Sequence, residues 1–422
     1  MLQILKARGL RFVFVANLVS MIGSGMNTAA VIWYILQATH SEVALGTLVV
    51  INTIPAVLML PFTGVFIDRQ DRRRIVMMLD TGRGLIVLII ALLALAHRAQ
   101  VWQLYAMNVV VSAGFWMFWP TINALLQELT PGAQFVQSNT LLLAGFQGGW
   151  LIAGALVGFI YNHVGLGGVL LIDFTSYVVS FLCYFAVRKG RHIVAAAGEA
   201  LEHVRAMTAA DRYFHEMREG LSYVRSDRRV ILLGMSWALF IAAMMTSGVV
   251  TAPLSDRILH RGAVGYGWLN AGWASGAALG VLWTPLLIRA WGGRRSVAIS
   301  MAVIGCALVF APYSHYIALA VLLYAIMGSG RGTGGVAISS SMMEMVPPHF
   351  MGRVQNTFYF LGTLLQICSA LLVGAVAHRI GLGLAFAIVG SMYLASSLAA
   401  VVPVHAPLPA MQAAPAEATV SK

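Results

Sequence analysis

The chain has 422 residues, 59% of them hydrophobic and only 10% charged, with a mean hydropathy of +0.82. Soluble domains carry about 25% charged residues, so a water-soluble enzyme is excluded. The formal net charge of +12 suggests nucleic acid only until the basic residues are placed along the chain.

Apolar runs between charged or turn-rich breaks predict twelve helices, each near the roughly 20 residues that a bilayer requires. They fall at 10–37, 43–67, 75–97, 101–127, 136–161 and 166–187, then at 230–255, 263–289, 296–313, 316–343, 353–378 and 382–403. The first run is too long for a signal peptide and has no clear cleavage site, so it reads as an uncleaved span. Cys183, Cys306 and Cys368 lie singly inside apolar runs, without disulfide or metal spacing. The fold class expected is an all-α membrane protein of twelve spans in two six-helix halves, with cytoplasmic N- and C-termini.

Of the 27 basic residues, only Arg98, Arg257, Arg261 and Arg379 fall on the far side of this arrangement, and only Arg83 and Arg331 fall within spans. The rest lie on the inner side, as the positive-inside rule requires. The basic charge therefore reports topology, and no nucleic-acid partner is expected. The longest polar interruption divides the chain into an N-terminal bundle (1–187), a cytoplasmic linker (188–229), a C-terminal bundle (230–403) and an Ala/Pro-rich disordered tail (404–422). Within the linker Phe214, Met217, Leu221 and Val224 recur at helical spacing, which predicts an amphipathic helix on the membrane surface.

The halves repeat. Glu128-Leu-Thr-Pro131 is echoed by Glu344-Met-Val-Pro347, and Arg72-Arg73-Arg74 by Arg294-Arg295. Repeated halves are a way to build alternating access around a central site.

The loop after the second span reads Gly64-Val-Phe-Ile-Asp68-Arg69-Gln-Asp71-Arg72-Arg73. It resembles the signature of the major facilitator superfamily at every fixed position. Ser20-Met-Ile-Gly23-Ser24-Gly25, Ile32-Trp33-Tyr34-Ile35, Asp80-x-x-Arg83, Glu128-Leu-Thr-Pro131 and Asp173-Phe-Thr-Ser176-Tyr177 narrow the resemblance to the drug:proton antiporter branch containing macrolide efflux proteins and the enterobactin exporter. The resemblance implies a conformational latch of Gly64, Asp68, Arg69, Arg72, Arg73 and Arg353, with Asp68 facing the start of span eleven. Two positions depart from the pattern: Ser24 stands where relatives carry an acid, and the span-five antiporter signature is reduced to Gly154-Ala155 and Gly158-Phe159.

Charged residues in or beside the spans are the next candidates. Asp80 and Arg83, three apart on one helix face, can neutralise each other. Asp173 is expected at the outer end of span six as a helix-end partner rather than a carrier, and Glu128 and Glu344 are expected to join the network of basic loops. Arg331 lies midway along span ten, where a charge costs at least about 2.5–3.5 kcal/mol on insertion scales and faces a cavity or a partner. Asn27, Asn52, Trp116, Trp119, Gln147, Asn270 and Trp273 are candidates for a substrate cavity, while Gly272, Gly276 and Gly280 read as helix packing.

The expected function is secondary active export of a bulky amphipathic small molecule, an antibiotic such as a macrolide or a siderophore, across a bacterial inner membrane. The resemblance implies proton coupling, with the proton gradient as energy source and no cofactor or metal. Expected partners are the substrate and membrane lipids, with the monomer as the working unit. The alternatives are a lysophospholipid or nutrient transporter of the same fold and, more remotely, a membrane-embedded enzyme. No HExxH, GxSxG or P-loop is present to support the enzyme.

Overall fold

The computed structural model describes residues 8–130, 135–187, 218, 221–225, 227–346 and 348–402; some side chains inside the helices, among them those at 60–65, 68–69, 139–140 and 147, fall outside that description. In the first half α1 spans Arg8–Thr39, α2 Glu42–Arg69, α3 Arg72–Leu95 and α4 Val101–Leu129. A continuous helical run, Phe135–Ala186, is broken at Gly165, where φ is 65° and ψ −172°. That left-handed backbone favours glycine, and it divides the run into α5 (135–164) and α6 (166–186). The second half holds α7 (Arg228–Pro253), a π-turn at Leu254–Ile258, α8 (Gly262–Trp291), α9 (Gly293–Phe310), α10 (Ile317–Met345), α11 (Pro348–Arg379) and α12 (Leu382–Val401).

Among the described residues, these twelve helices form in the order the hydropathy predicts. Eleven segments of the described chain are long and apolar enough to cross a bilayer, one of them, Leu156–Ala186, running through the Gly165 break. Two neighbours of α1 fix the chain reversal there. Gly145, Gly149 and Gly25 place α5 beside α1 in parallel, with Gly145 against Phe14 and Asn17, Gly149 against Met21, and Gly25 against Ala153. The hydrogen bonds Ser24–Tyr177 and Asn27–Asp173 make α6 antiparallel to α1.

Close approach depends on missing side chains. A methyl group at Gly276 or Gly280 on α8 would collide with the carbonyl oxygens of Ala325 and Ser329 on α10, and one at Gly328 or Gly332 with those of Trp273 and Ala277. The glycine ladder read as packing is therefore a two-sided helix contact, which suits an environment where lipid supplies no hydrophobic drive for helix association.

The internal repeat extends to side-chain chemistry. Arg73 at the start of α3 donates from Nε to the carbonyl of Tyr184 (2.7 Å) and from Nη2 to that of Phe185 (2.6 Å), at the C-terminus of α6. Arg294 at the start of α9 donates to the carbonyls of Ala400 (3.2 Å) and Val402 (3.1 Å), at the C-terminus of α12. Each arginine satisfies carbonyls that a helix end leaves unpaired and sits at the negative end of its dipole. Both arginines mark one end of the bundle, called here the basic end.

In the linker, Phe214 and Met217 lie outside the described residues. Residues 221–225 form a helical turn on which Val224 is buried against the core and Leu221 is exposed.

Candidate functional site

Polar groups interrupt the apolar interior of the spans around Asp80, Asp173 and Arg331. The first joins α3, α4 and α6. Arg83 Nη2 meets Asp80 Oδ1 at 2.6 Å, with both side chains sealed from solvent. Ser180 donates to Asp80 Oδ2 at 2.7 Å, and the guanidinium lies 4.9 Å from the ring centre of Phe118 and 4.8 Å from that of Tyr177. Gly114 leaves room for the Arg83 stem. The i,i+3 neutralisation read from the sequence is present, and it ties three helices together.

The second joins α1 and α6 around Asp173. Asp173, read as lying toward the outer end of span six, is fully buried there, because α6 packs antiparallel against α1. Asn27 Nδ2 donates to Asp173 Oδ2 at 2.6 Å, and Ser176 Oγ approaches Oδ1 at 3.3 Å. No cation lies within ion-pair distance of this carboxylate among the described residues. Asn27, expected on a cavity wall, is instead 3% exposed and committed to that bond. A cleft of about 370 Å³ opens between the two helices beside Gly23 and Ser176.

The third is Arg331, midway along α10. Its Nε donates to the thioether sulfur of Met244 on α7 at 3.0 Å, and its guanidinium carbon stands 4.5 Å from the ring centre of Trp273 on α8. No carboxylate lies within ion-pair distance of it among the described residues. Glu344, the acid on the same helix, is about 20 Å further along the axis at 1.5 Å per residue.

At the basic end, Arg72 pairs with Glu128 at 2.8 Å and donates to the carbonyl of Ala124. Asp71 caps α3 by accepting from the backbone N–H of Arg73 (3.0 Å) and Arg74 (3.4 Å). The surroundings of Gly64 and the side chains of Asp68 and Arg69 lie outside the description, and with them the expected contact of Asp68 to α11; Arg353 is half-buried near the start of that helix. Glu344 does not join the network as expected, for it is exposed and makes no ion pair among the described residues. The repeat explains the difference: Arg72 opens α3, whereas Gly293 opens α9, so the second half lacks the cation that holds Glu128.

The remaining cavity candidates divide. Trp116 of α4 contacts Tyr359 of α11 edge-on at 5.7 Å and donates to the carbonyl of Asn52 at 3.4 Å, which places Trp116 and Asn52 on the seam between the halves. Trp119 packs on Phe146 at 4.8 Å within the first half. Asn270 donates back to the carbonyl of Tyr266 on its own helix (2.8 Å) and faces Gly154 of α5. The Gln147 side chain lies outside the described residues.

A lock between the halves escaped the sequence reading. Glu42, the first residue of α2, has a fully buried carboxylate that meets Arg257 of the π-turn at 2.6 Å and His378 of α11 at 3.4 Å. Arg257 also donates to the carbonyl of His40 at 2.8 Å. Around it a Cβ on Gly46 or Gly374 would strike the facing backbone of α11 or α2, Gly158 sits against Gly267, and Trp33 stacks on Tyr266 at 6.1 Å. The described contacts between halves therefore crowd toward the end opposite the basic loops. Towards the middle, Gln366 of α11 donates to Thr53 of α2 at 2.7 Å. The signal available in the sequence was an acid flanking a span on the side where Arg257 lies, but nothing in spacing joins residues so far apart.

Residues 13–365 match the family described as Major Facilitator Superfamily. The chain belongs to that superfamily. It is 24% identical over 403 residues to the uncharacterized MFS-type transporter YfiS of Bacillus subtilis (strain 168), covering 92% of this chain and 91% of that protein. It is 21% identical to macrolide efflux protein A of Streptococcus pyogenes, covering 90% and 92%, and 22% identical to the multidrug efflux pump Tap of Mycolicibacterium fortuitum, covering 89% and 91%. Among solved structures, the nucleoside transporter NupG superposes with a TM-score of 0.71 at 14% identity, covering 93% of this chain and 98% of that one. A bacterial homologue of the iron transporter ferroportin in an inward-facing state superposes at 0.68 with 16% identity, covering 93% and 97%. The chain is a multi-pass membrane transporter of the superfamily, not an enzyme.

Proposed function

We propose that this superfamily transporter exports bulky amphipathic small molecules across a bacterial inner membrane by alternating access, driven by proton influx, as a monomer with both termini cytoplasmic. The observation that carries the reading is the Glu42–Arg257–His378 lock, a polar closure between the two six-helix halves at the end opposite the basic loops. An ion pair across a seam is a contact that can be made in one state and broken in another, which is what a two-state transporter requires. Export is supported by the relatives named for macrolide and multidrug efflux. Cytoplasmic termini follow from the basic end under the positive-inside rule.

Proton coupling is assigned to Asp173. A carboxylate held by the neutral donors Asn27 and Ser176 keeps hydrogen-bond partners in either protonation state. Protonating Asp80 would instead cancel the charge that compensates the buried Arg83. The test is accumulation of macrolides, catecholate siderophores and lysolipids in drug-sensitive cells with and without the protein, before and after a protonophore. Lowered accumulation of a macrolide or siderophore that the protonophore restores is expected. A response confined to lysolipids, or one indifferent to the protonophore, contradicts the proposal.

A further inference from the structure

Two arginines lie within the spans, and their surroundings are opposite. Arg83 is saturated by an acid and two rings. Arg331 has the ring of Trp273 and the thioether of Met244, with the phenol of Tyr393 on α12 nearby and no acid within ion-pair distance among the described residues. Only its Nε finds an acceptor, and thioether sulfur is a weak one. The two terminal nitrogens donate to no described group, yet neither is sealed away from access. They form the paired N–H edge that grips an oxyanion bidentately, and Trp273 holds the guanidinium plane in place from one side.

We infer that Arg331 is an oxyanion-recognition point and that the cargo is an amphipathic organic acid, its carboxylate or phosphate seated on the terminal nitrogens of Arg331. This rests on the reading of the chain as an exporter of amphipathic molecules, and adds the sign of the charge. A cation in the bilayer interior is stabilised by an opposite charge or a water-filled cavity. Among the described residues the second half supplies no such carboxylate at Arg331: Asp256 lies in the π-turn beyond α7 and Glu344 at the far end of α10. A cargo anion completes the site when bound. Met244, unbranched and polarizable, can yield the guanidinium to a better acceptor.

The test uses the full chain, purified into nanodiscs, as wild type, Arg331→Lys and Arg331→Gln. Tritiated fusidate, a bulky amphipathic carboxylate, is displaced by unlabelled fusidate or by its uncharged methyl ester. Charge-assisted hydrogen bonds favour the acid over the ester by roughly ten- to a hundredfold in the wild type. Arg331→Gln is expected to remove that preference, and Arg331→Lys to keep part of it. Equal binding of acid and ester to the wild type overturns the inference without reference to any variant, as does an undiminished acid preference in folded Arg331→Gln. Absence of fusidate binding overturns it too. Export of fusidate and of its uncharged methyl ester from cells, assayed in parallel, separates the two claims. Export without acid recognition leaves the transport reading standing and the inference refuted; loss of both refutes both.

Discussion

Replacing Arg83 by Met removes the cation from a pair whose members are both sealed from solvent and 2.6 Å apart. The uncompensated Asp80 is left with one donor, Ser180. Breaking a buried pair from one side costs about 3–5 kcal/mol, most of it the isolated charge. The contacts to Phe118 and Tyr177 contribute to the same loss and are not added to it. Met retains much of the stem that occupies the space left by Gly114, so a cavity is a minor part of the cost. The double variant Asp80→Asn with Arg83→Met takes away the second charge and is expected to recover at least half of the lost stability, since an apolar or neutral replacement of a buried pair is close to neutral. Arg331→Met, in contrast, removes a cation that has no acid beside it, and should change stability by less than about 1 kcal/mol, in either direction. Reversible unfolding in mixed detergent micelles, followed by circular dichroism, ranks the three. If Arg83→Met costs no more than Arg331→Met, or if the double variant is no more stable than the single, the distinction between saturated and open arginines is wrong.

Other consequences follow from the packing and from Asp173. Gly276→Ala would press a methyl group on the Ala325 carbonyl and should cost about 1–3 kcal/mol by overpacking α8 against α10; the same unfolding assay measures it. Arg294→Ala releases the carbonyls of Ala400 and Val402 and should cost about 1–2 kcal/mol, with faster amide exchange at the end of α12. Asp173→Asn should leave folding intact while uncoupling transport from the proton gradient, read as export in vesicles that no longer responds to an imposed pH difference. Export still driven by that pH difference would place the proton elsewhere.

Hydropathy alone was enough to locate the twelve helices, because the cost of unpaired backbone in lipid leaves the chain few other options. The Asp80–Arg83 pair was legible for a local reason: three residues on one helix suffice to bring the groups together. The absence of any such acid near Arg331 on its own helix was equally legible, and the contact with Trp273 follows from the glycines that bring α8 onto α10. The partner of Asp173 was not legible because position along a span does not reveal which neighbour a residue meets; α1 supplies Asn27 from 146 residues away. Glu344 was misjudged by assuming that a repeated motif keeps its partner, when Gly293 had replaced the arginine. Glu42 was missed since its carboxylate is held by residues of the other half, and a one-dimensional pattern carries no record of that seam.

Alternating access requires the two halves to rock about that seam. With Cys183, Cys306 and Cys368 replaced, spin labels at the exposed Trp102 and Ile380 report the end that Glu42 locks, and labels at the exposed Met78 and Met343 report the basic end. Glu42→Gln removes the charge that holds Arg257 and His378 and should populate a longer distance in the first pair and a shorter one in the second. Distance distributions that stay as in the wild type at both ends, or that lengthen together, would contradict alternating access by these halves.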